Sequence, residues 1–152
     1  MEDKKTDYEL LGKQLQAITD GVTFQISNLS NAAALLYQTL PVINWAGFYI
    51  LKGDELLLGP FMGKPACVRI KSGRGVCGTS AQLHETVVVP DVHEFPGHIA
   101  CDSDSRSEIV IPLTVNGKLF GVMDIDSPVT DRFDADDLAG LEAFAKILES
   151  VL

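Results

Sequence analysis

The sequence predicts an α+β fold: a central, mainly antiparallel sheet of about six strands, with helices from the N- and C-terminal ends packed on it. Three observations carry this expectation. Helical periodicity is confined to the two ends of the chain, β-rich runs fill the middle, and two of those runs are joined to their neighbours by tight-turn sequences.

The elements follow in order. A first short helix is expected from Tyr8 to Ile18, stopping before Asp20-Gly21. Ile26, Leu29, Ala33, Leu36 and Leu40 recur at three- and four-residue steps and define a second, amphipathic helix. Pro41 ends it, because proline lacks the N–H and clashes with the preceding turn. Trp45 to Leu51 and Glu55 to Phe61 flank Lys52-Gly53-Asp54 and read as a hairpin. Cys67 to Ile70 and Thr86 to Val89 are shorter strand candidates, and Gly75 to Leu83 a short helix after a glycine turn. Ile109 to Val115 and Lys118 to Asp126 flank Asn116-Gly117, whose residues both tolerate the positive φ that a two-residue hairpin requires. Leu138, Leu141, Ala145, Leu148 and Leu152 define the last helix. Asp134 is placed to cap it, and Asp136 and Asp137 suit the positive end of its dipole.

Length and composition narrow the function. The 152 residues suit one domain over 1–152 with one core, and 46% hydrophobic against 22% charged residues is a globular balance. Twelve Lys+Arg against 21 Asp+Glu leave a net charge of −9. A nucleic-acid or anionic-membrane partner calls for the opposite sign, so neither is expected. No apolar run approaches the roughly 20 residues that span a bilayer. No apolar stretch behind the first five residues resembles a secretory signal. The expected location is the cytoplasm. There, three cysteines read as thiols, redox groups or ligands rather than permanent staples.

Four features could carry chemistry. From Pro90 to Ser107 the chain shows no period of 2 or 3.6, and a loop of that length in a compact domain is commonly a lid or binding loop. Asp124 and Asp126 alternate with Met123 and Ile125, so the two carboxylates share a sheet face. Pairing counted outward from Asn116-Gly117 puts Glu108 opposite Ile125, on the other face; convergence with the aspartates needs a bulge or a one-residue slip. The acidic strand is then either a solvated face or a site for a cation or a proton-requiring group, in which crowded carboxylates raise one another's pKa. Trp45 and Tyr49 share a face with Gly47 between them, where glycine leaves space. They are core aromatics or a wall for a small apolar or sulfur-bearing ligand.

Cys67, Cys77 and Cys101 form the fourth feature. They contain no Cys-x-x-Cys. They read as buried inert thiols, as redox groups, or as zinc ligands with His84, His93 and His98, whose spacings fit no standard zinc pattern. No metal or cofactor is expected. Asp102 and Asp104 beside Cys101 raise its thiol pKa by repulsion, an objection that weakens if an acid activates the substrate. Gly73-x-Gly75 lacks the context of a phosphate loop.

Five motifs in order then give a resemblance: Gly59-Pro-Phe-Met-Gly-Lys-Pro-Ala-Cys67, Gly73-Arg-Gly-Val-Cys77-Gly78, the run from Asp91 to Asp102 containing Cys101, Ser107-Glu-Ile-Val-Ile-Pro-Leu113, and Gly121-Val-Met-Asp-Ile-Asp-Ser-Pro128. From about Trp45 to the final helix the chain resembles the free methionine-(R)-sulfoxide reductases, a family of single GAF-like domains. The resemblance implies that Cys101 attacks the sulfoxide sulfur, that Cys67 resolves the product, and that Cys77 takes part in further disulfide exchange. It implies that Glu108, Asp124 and Asp126 hold the substrate and that Trp45 and Tyr49 line its side-chain pocket. Free methionine-R-sulfoxide is the implied substrate and thioredoxin the implied reductant. Carboxylates that bind the α-ammonium would exclude methionine within a peptide. A non-catalytic GAF sensor is the competing class; its usual mark is an attached effector domain. The amphipathic N-terminal helix pair is a candidate homodimer interface.

Overall fold

A computed structural model describes residues 5–98 and 103–152. The elements run α1 (Tyr8–Thr19), α2 (Gln25–Thr39), β1 (Trp45–Lys52), β2 (Glu55–Gly63), β3 (Arg69–Lys71), α3 (Gly75–Leu83), β4 (Val87–Val89), β5 (Ser107–Val115), β6 (Lys118–Ser127) and α4 (Ala135–Glu149). Six strands among the described residues form one sheet in the order β3-β2-β1-β6-β5-β4. Every neighbouring pair is antiparallel, which gives the α+β architecture expected.

Local chemistry sets the boundaries. Asp7 accepts a hydrogen bond from Leu10 N at 3.0 Å and caps α1. Asp134 does the same for Asp137 N at 2.9 Å, while Asp137 reaches back to Asp134 N, so α4 begins with a reciprocal capping box. Asn116 and Gly117 both have positive φ, 53° and 75°, as a type I′ hairpin turn demands. One expected strand is displaced. Cys67 to Ile70 is replaced by Arg69–Lys71, because the Cys67 carbonyl is taken by the Tyr49 hydroxyl at 2.9 Å and not by a strand neighbour.

Side-chain alternation sorts the sheet into two faces. On one face Phe48, Ile109, Ile111, Leu113, Met123 and Ile125 meet α1, α2 and α4 in the larger core. Each fully buried aliphatic or aromatic side chain there contributes about 1.5–3 kcal/mol. The helices close tightly: a Cβ at Gly140 would lie 2.1 Å from the Tyr8 ring. Tyr8 donates its hydroxyl to Asp137, which also pairs with Arg132 at 3.0 Å. On the opposite face Trp45, Tyr49, Val110 and Val122 pack with Val76, Cys77 and Ala81 of α3. This second layer is thinner, and it is where the polar cluster lies. No helix among the described residues is long and apolar enough to cross a membrane.

Candidate active site

The hairpin β5–β6 carries the site, and a bulge decides its chemistry. Val115 pairs with Lys118 and Thr114 with Leu119, as the turn dictates. The next pair is Leu113 with Gly121, so Phe120 is an extra residue on β6. From there the ladder is shifted by one. Glu108 lies opposite Asp126, not opposite Ile125 as counting from the turn gives. The shift has two visible causes. Pro112 in β5 has no N–H to give the ladder. Gly121 lets β6 approach β1 so closely that a Cβ there would sit 2.1 Å from Tyr49 O.

The shift brings three strands into rows on one face. Trp45, Asp126 and Glu108 stand side by side on β1, β6 and β5, and Gly47, Asp124 and Val110 form the next row. Side chains directly opposite one another across strands are about 4.5–5.5 Å apart at Cβ, so the three carboxyl groups meet. Glu108 and Asp124 are only 7% and 5% exposed. The acidic strand is therefore a buried cluster and not a solvated face. Trp45 is stacked with Tyr49 at 6.0 Å and with Phe61 at 5.2 Å between ring centroids. The space expected at Gly47 is taken up by this stack: a Cβ there would lie 2.3 Å from Phe61 Cβ and 2.8 Å from Trp45 Cη2. Glycine at this position lets the Trp45 ring lie flat against the sheet beside the carboxyl groups.

One cavity is lined by Trp45, Tyr49, Cys77, Glu108, Asp124 and Asp126, six of the eight residues singled out from the sequence. Cys77, on the first turn of α3, is a buried free thiol with Sγ 4.0 Å from Glu108 Oε2. Cys67 borders the site through the Tyr49 hydrogen bond, and its sulfur is in a disulfide. Cys101 and Asp102 lie outside the described residues. Asp104 forms an ion pair with Lys64, which lowers its carboxyl pKa through that hydrogen bond and charge.

Electrostatics follow from the geometry. Burial first, then the Asp124 charge, pushes the Glu108 carboxyl well above the ordinary carboxylate range. Burial and then the Asp126 charge do the same to Asp124. Cys77 is pushed up by burial and by the neighbouring carboxylates, so it is held as a thiol. The cluster is built to retain protons and to welcome a positive charge. Lys64, Arg74 and Ser105, which the sequence did not single out, also line the cavity, as does His98, weighed from the sequence only as a zinc ligand. Lys64 and Arg74 lie inside quoted motifs, where their charge on a pocket of acids was the available signal. Burial and then His93 keep His98 below the usual imidazole pKa.

Comparison with known proteins gives the same direction. The GAF domain family matches residues 13–152. The free methionine-R-sulfoxide reductase of Escherichia coli is 50% identical over 150 residues, covering 99% of this chain and 91% of the relative. That of Saccharomyces cerevisiae is 47% identical over 154 residues, covering 96% and 86%. Among solved structures, fRMsr of Staphylococcus aureus in complex with substrate superposes with a TM-score of 0.94 at 51% identity, covering 100% of this chain and 99% of that one.

Proposed function

This chain belongs to the free methionine-R-sulfoxide reductase family of GAF domains, and on that footing we propose that it reduces free L-methionine-R-sulfoxide to methionine with Cys101 as nucleophile. The observation that carries this reading is the cluster of buried Glu108 and Asp124 with half-buried Asp126, lining one cavity with the Trp45–Tyr49 stack. A lone amino-acid zwitterion presents an ammonium group for such carboxylates and a thioether-like tail for such rings.

A carboxyl group that keeps its proton donates it to the sulfoxide oxygen, which makes the sulfur electrophilic. The Cys101 sulfur attacks, methionine leaves with its lone pair restored, and the oxygen stays on Cys101 as a sulfenic acid. Cys67 condenses with it, releasing water and forming a disulfide. A thioredoxin-type dithiol supplies two electrons by exchange and restores both thiols. Cys77 enters as a further exchange partner. Its burial among carboxylates makes it a poor first nucleophile, since the thiolate is the reactive form.

The ionised carboxylates hold the α-ammonium. An amide in the same place cannot donate charge-assisted bonds, and each lost bond of this kind costs about 1.5–3 kcal/mol. The substrate is thus the free amino acid. Recycling by thioredoxin places the protein in a reducing cytoplasm, working as one catalytic domain. Exposed Leu10, Ile18, Phe24 and Ile26 on and beside the N-terminal helices support pairing of two copies. The test is Cys101→Ser in a thioredoxin-coupled assay: turnover of free methionine-R-sulfoxide disappears. Retained turnover would remove the proposed nucleophile.

A further inference from the structure

We propose that the reduced, substrate-free protein binds one divalent cation of the zinc or cobalt class between Cys77 Sγ, Glu108 and Asp124. The three ligand atoms come from α3, β5 and β6, are buried, and lie within 4.8 Å of one another. Cys77 Sγ and Glu108 Oε2 are 4.0 Å apart. A tetrahedral ion with metal–sulfur bonds of about 2.3 Å and metal–oxygen bonds of about 2.0–2.2 Å needs ligand separations of roughly 3.3–3.6 Å. Closing the site takes a contraction of about 0.4 Å between Cys77 and Glu108 and of no more than about 1.5 Å between any two of the three ligand atoms.

A second observation points independently to a ligand. Asp124 Oδ1 is buried and has no hydrogen-bond partner among the described residues, although Asp124 lines the cavity. An orphaned buried acceptor of this kind costs about 1–3 kcal/mol, more when charged. A cation satisfies it, as the ammonium of an amino acid would. The donor set selects the class of ion. One thiolate and two carboxylates suit zinc and cobalt, whereas magnesium and calcium take oxygen ligands. Three protein ligands leave a fourth position open to water. The ion would occupy the place proposed for the substrate ammonium and would withdraw the Cys77 sulfur from exchange. Metal loading would thus keep the enzyme idle until a chelator or thiol removed the ion.

The inference concerns the protein without substrate and is read without turnover, so it stands or falls separately from the proposed activity. The full chain carrying Cys67→Ser and Cys101→Ser retains Cys77 as its one thiol and is titrated with Co2+ without oxygen. The expected result is one Co2+ per chain, with a sulfur-to-cobalt charge-transfer band and the visible bands of four-coordinate cobalt, bleached by added Zn2+. In the same background Asp124→Asn and Glu108→Gln, both close in shape to the originals, weaken binding by more than about tenfold. Circular dichroism checks that each variant is folded. Saturating free methionine, with free Co2+ corrected for chelation by the amino acid, raises the apparent Kd for Co2+. Absence of the charge-transfer band, or unchanged affinity in folded Asp124→Asn, overturns the site. A band that methionine does not shift overturns its overlap with the ammonium position.

Discussion

Asp124→Asn removes a negative charge from a side chain that is 5% exposed and whose Oδ1 has no hydrogen-bond partner among the described residues. The substitution keeps the shape and supplies two donors to a cluster made of acceptors. Two opposite effects follow. In the substrate-free protein, replacing a poorly compensated buried ion with a neutral isostere stabilises the fold by about 1–3 kcal/mol. For a chain of this size, that is roughly 2–4 °C in Tm per kcal/mol.

The sign depends on pH. Glu108 and Asp124 have folded-state pKa values above the ordinary 4.5 and 3.8, mainly through burial. Their favourable contribution is complete below those ordinary values and is lost as pH rises through the raised ones. Wild-type stability should therefore fall from acid toward neutral pH, and the variant should show a shallower fall. In catalysis the same substitution deletes a charge-assisted bond to the ammonium, about 1.5–3 kcal/mol, or roughly 10–150-fold in kcat/KM. Calorimetry between pH 4 and 9 and a thioredoxin-coupled assay read the two effects. A variant that is less stable than wild type at pH 8, or one with unchanged kcat/KM, refutes the reasoning.

Cys67→Ser combined with Cys77→Ser should permit one turnover per chain and then stall, because the sulfenic acid then has no thiol of the chain to condense with; a burst of one equivalent of methionine checks this, and sustained turnover contradicts it. Trp45→Ala removes a side chain that stacks on both Tyr49 and Phe61. It should lower stability by about 3–5 kcal/mol and raise KM, with Trp45→Phe restoring most of both in the same melting and kinetic measurements. Gly121→Ala places a Cβ 2.1 Å from Tyr49 O. It should separate β1 from β6, seen as a Tm drop larger than any of the isosteric carboxyl variants produces.

Much of the fold was legible because its signals are local. The terminal helices, the Asn116-Gly117 turn and the Asp134 cap depend on neighbours in sequence, and each stands where the residues placed it. The convergence of Glu108 with Asp124 and Asp126 was not legible from alternation alone. One inserted residue, Phe120, reverses the face that counting assigns to Glu108. The available hint was Pro112 facing Gly121-Val122, since proline and glycine in the middle of strands mark bulges and close approaches. Burial of the acidic strand also lay beyond sequence reading, because it depends on α3 folding back over that face. Cys67 shows the same limit: its carbonyl is captured by Tyr49, a contact between strands that no local pattern announces.

On the proposed function, this cavity reduces a lone amino acid and not a residue within a chain. The most direct measurement follows methionine release from free L-methionine-R-sulfoxide, its S epimer and N-acetyl-methionine-R-sulfoxide, with thioredoxin as reductant. Turnover of the free R epimer is expected, with the S epimer and the N-acetyl compound left unreduced. Comparable rates on the free and N-acetylated substrates would contradict it, because the buried carboxyl cluster would then have no ammonium to recognise.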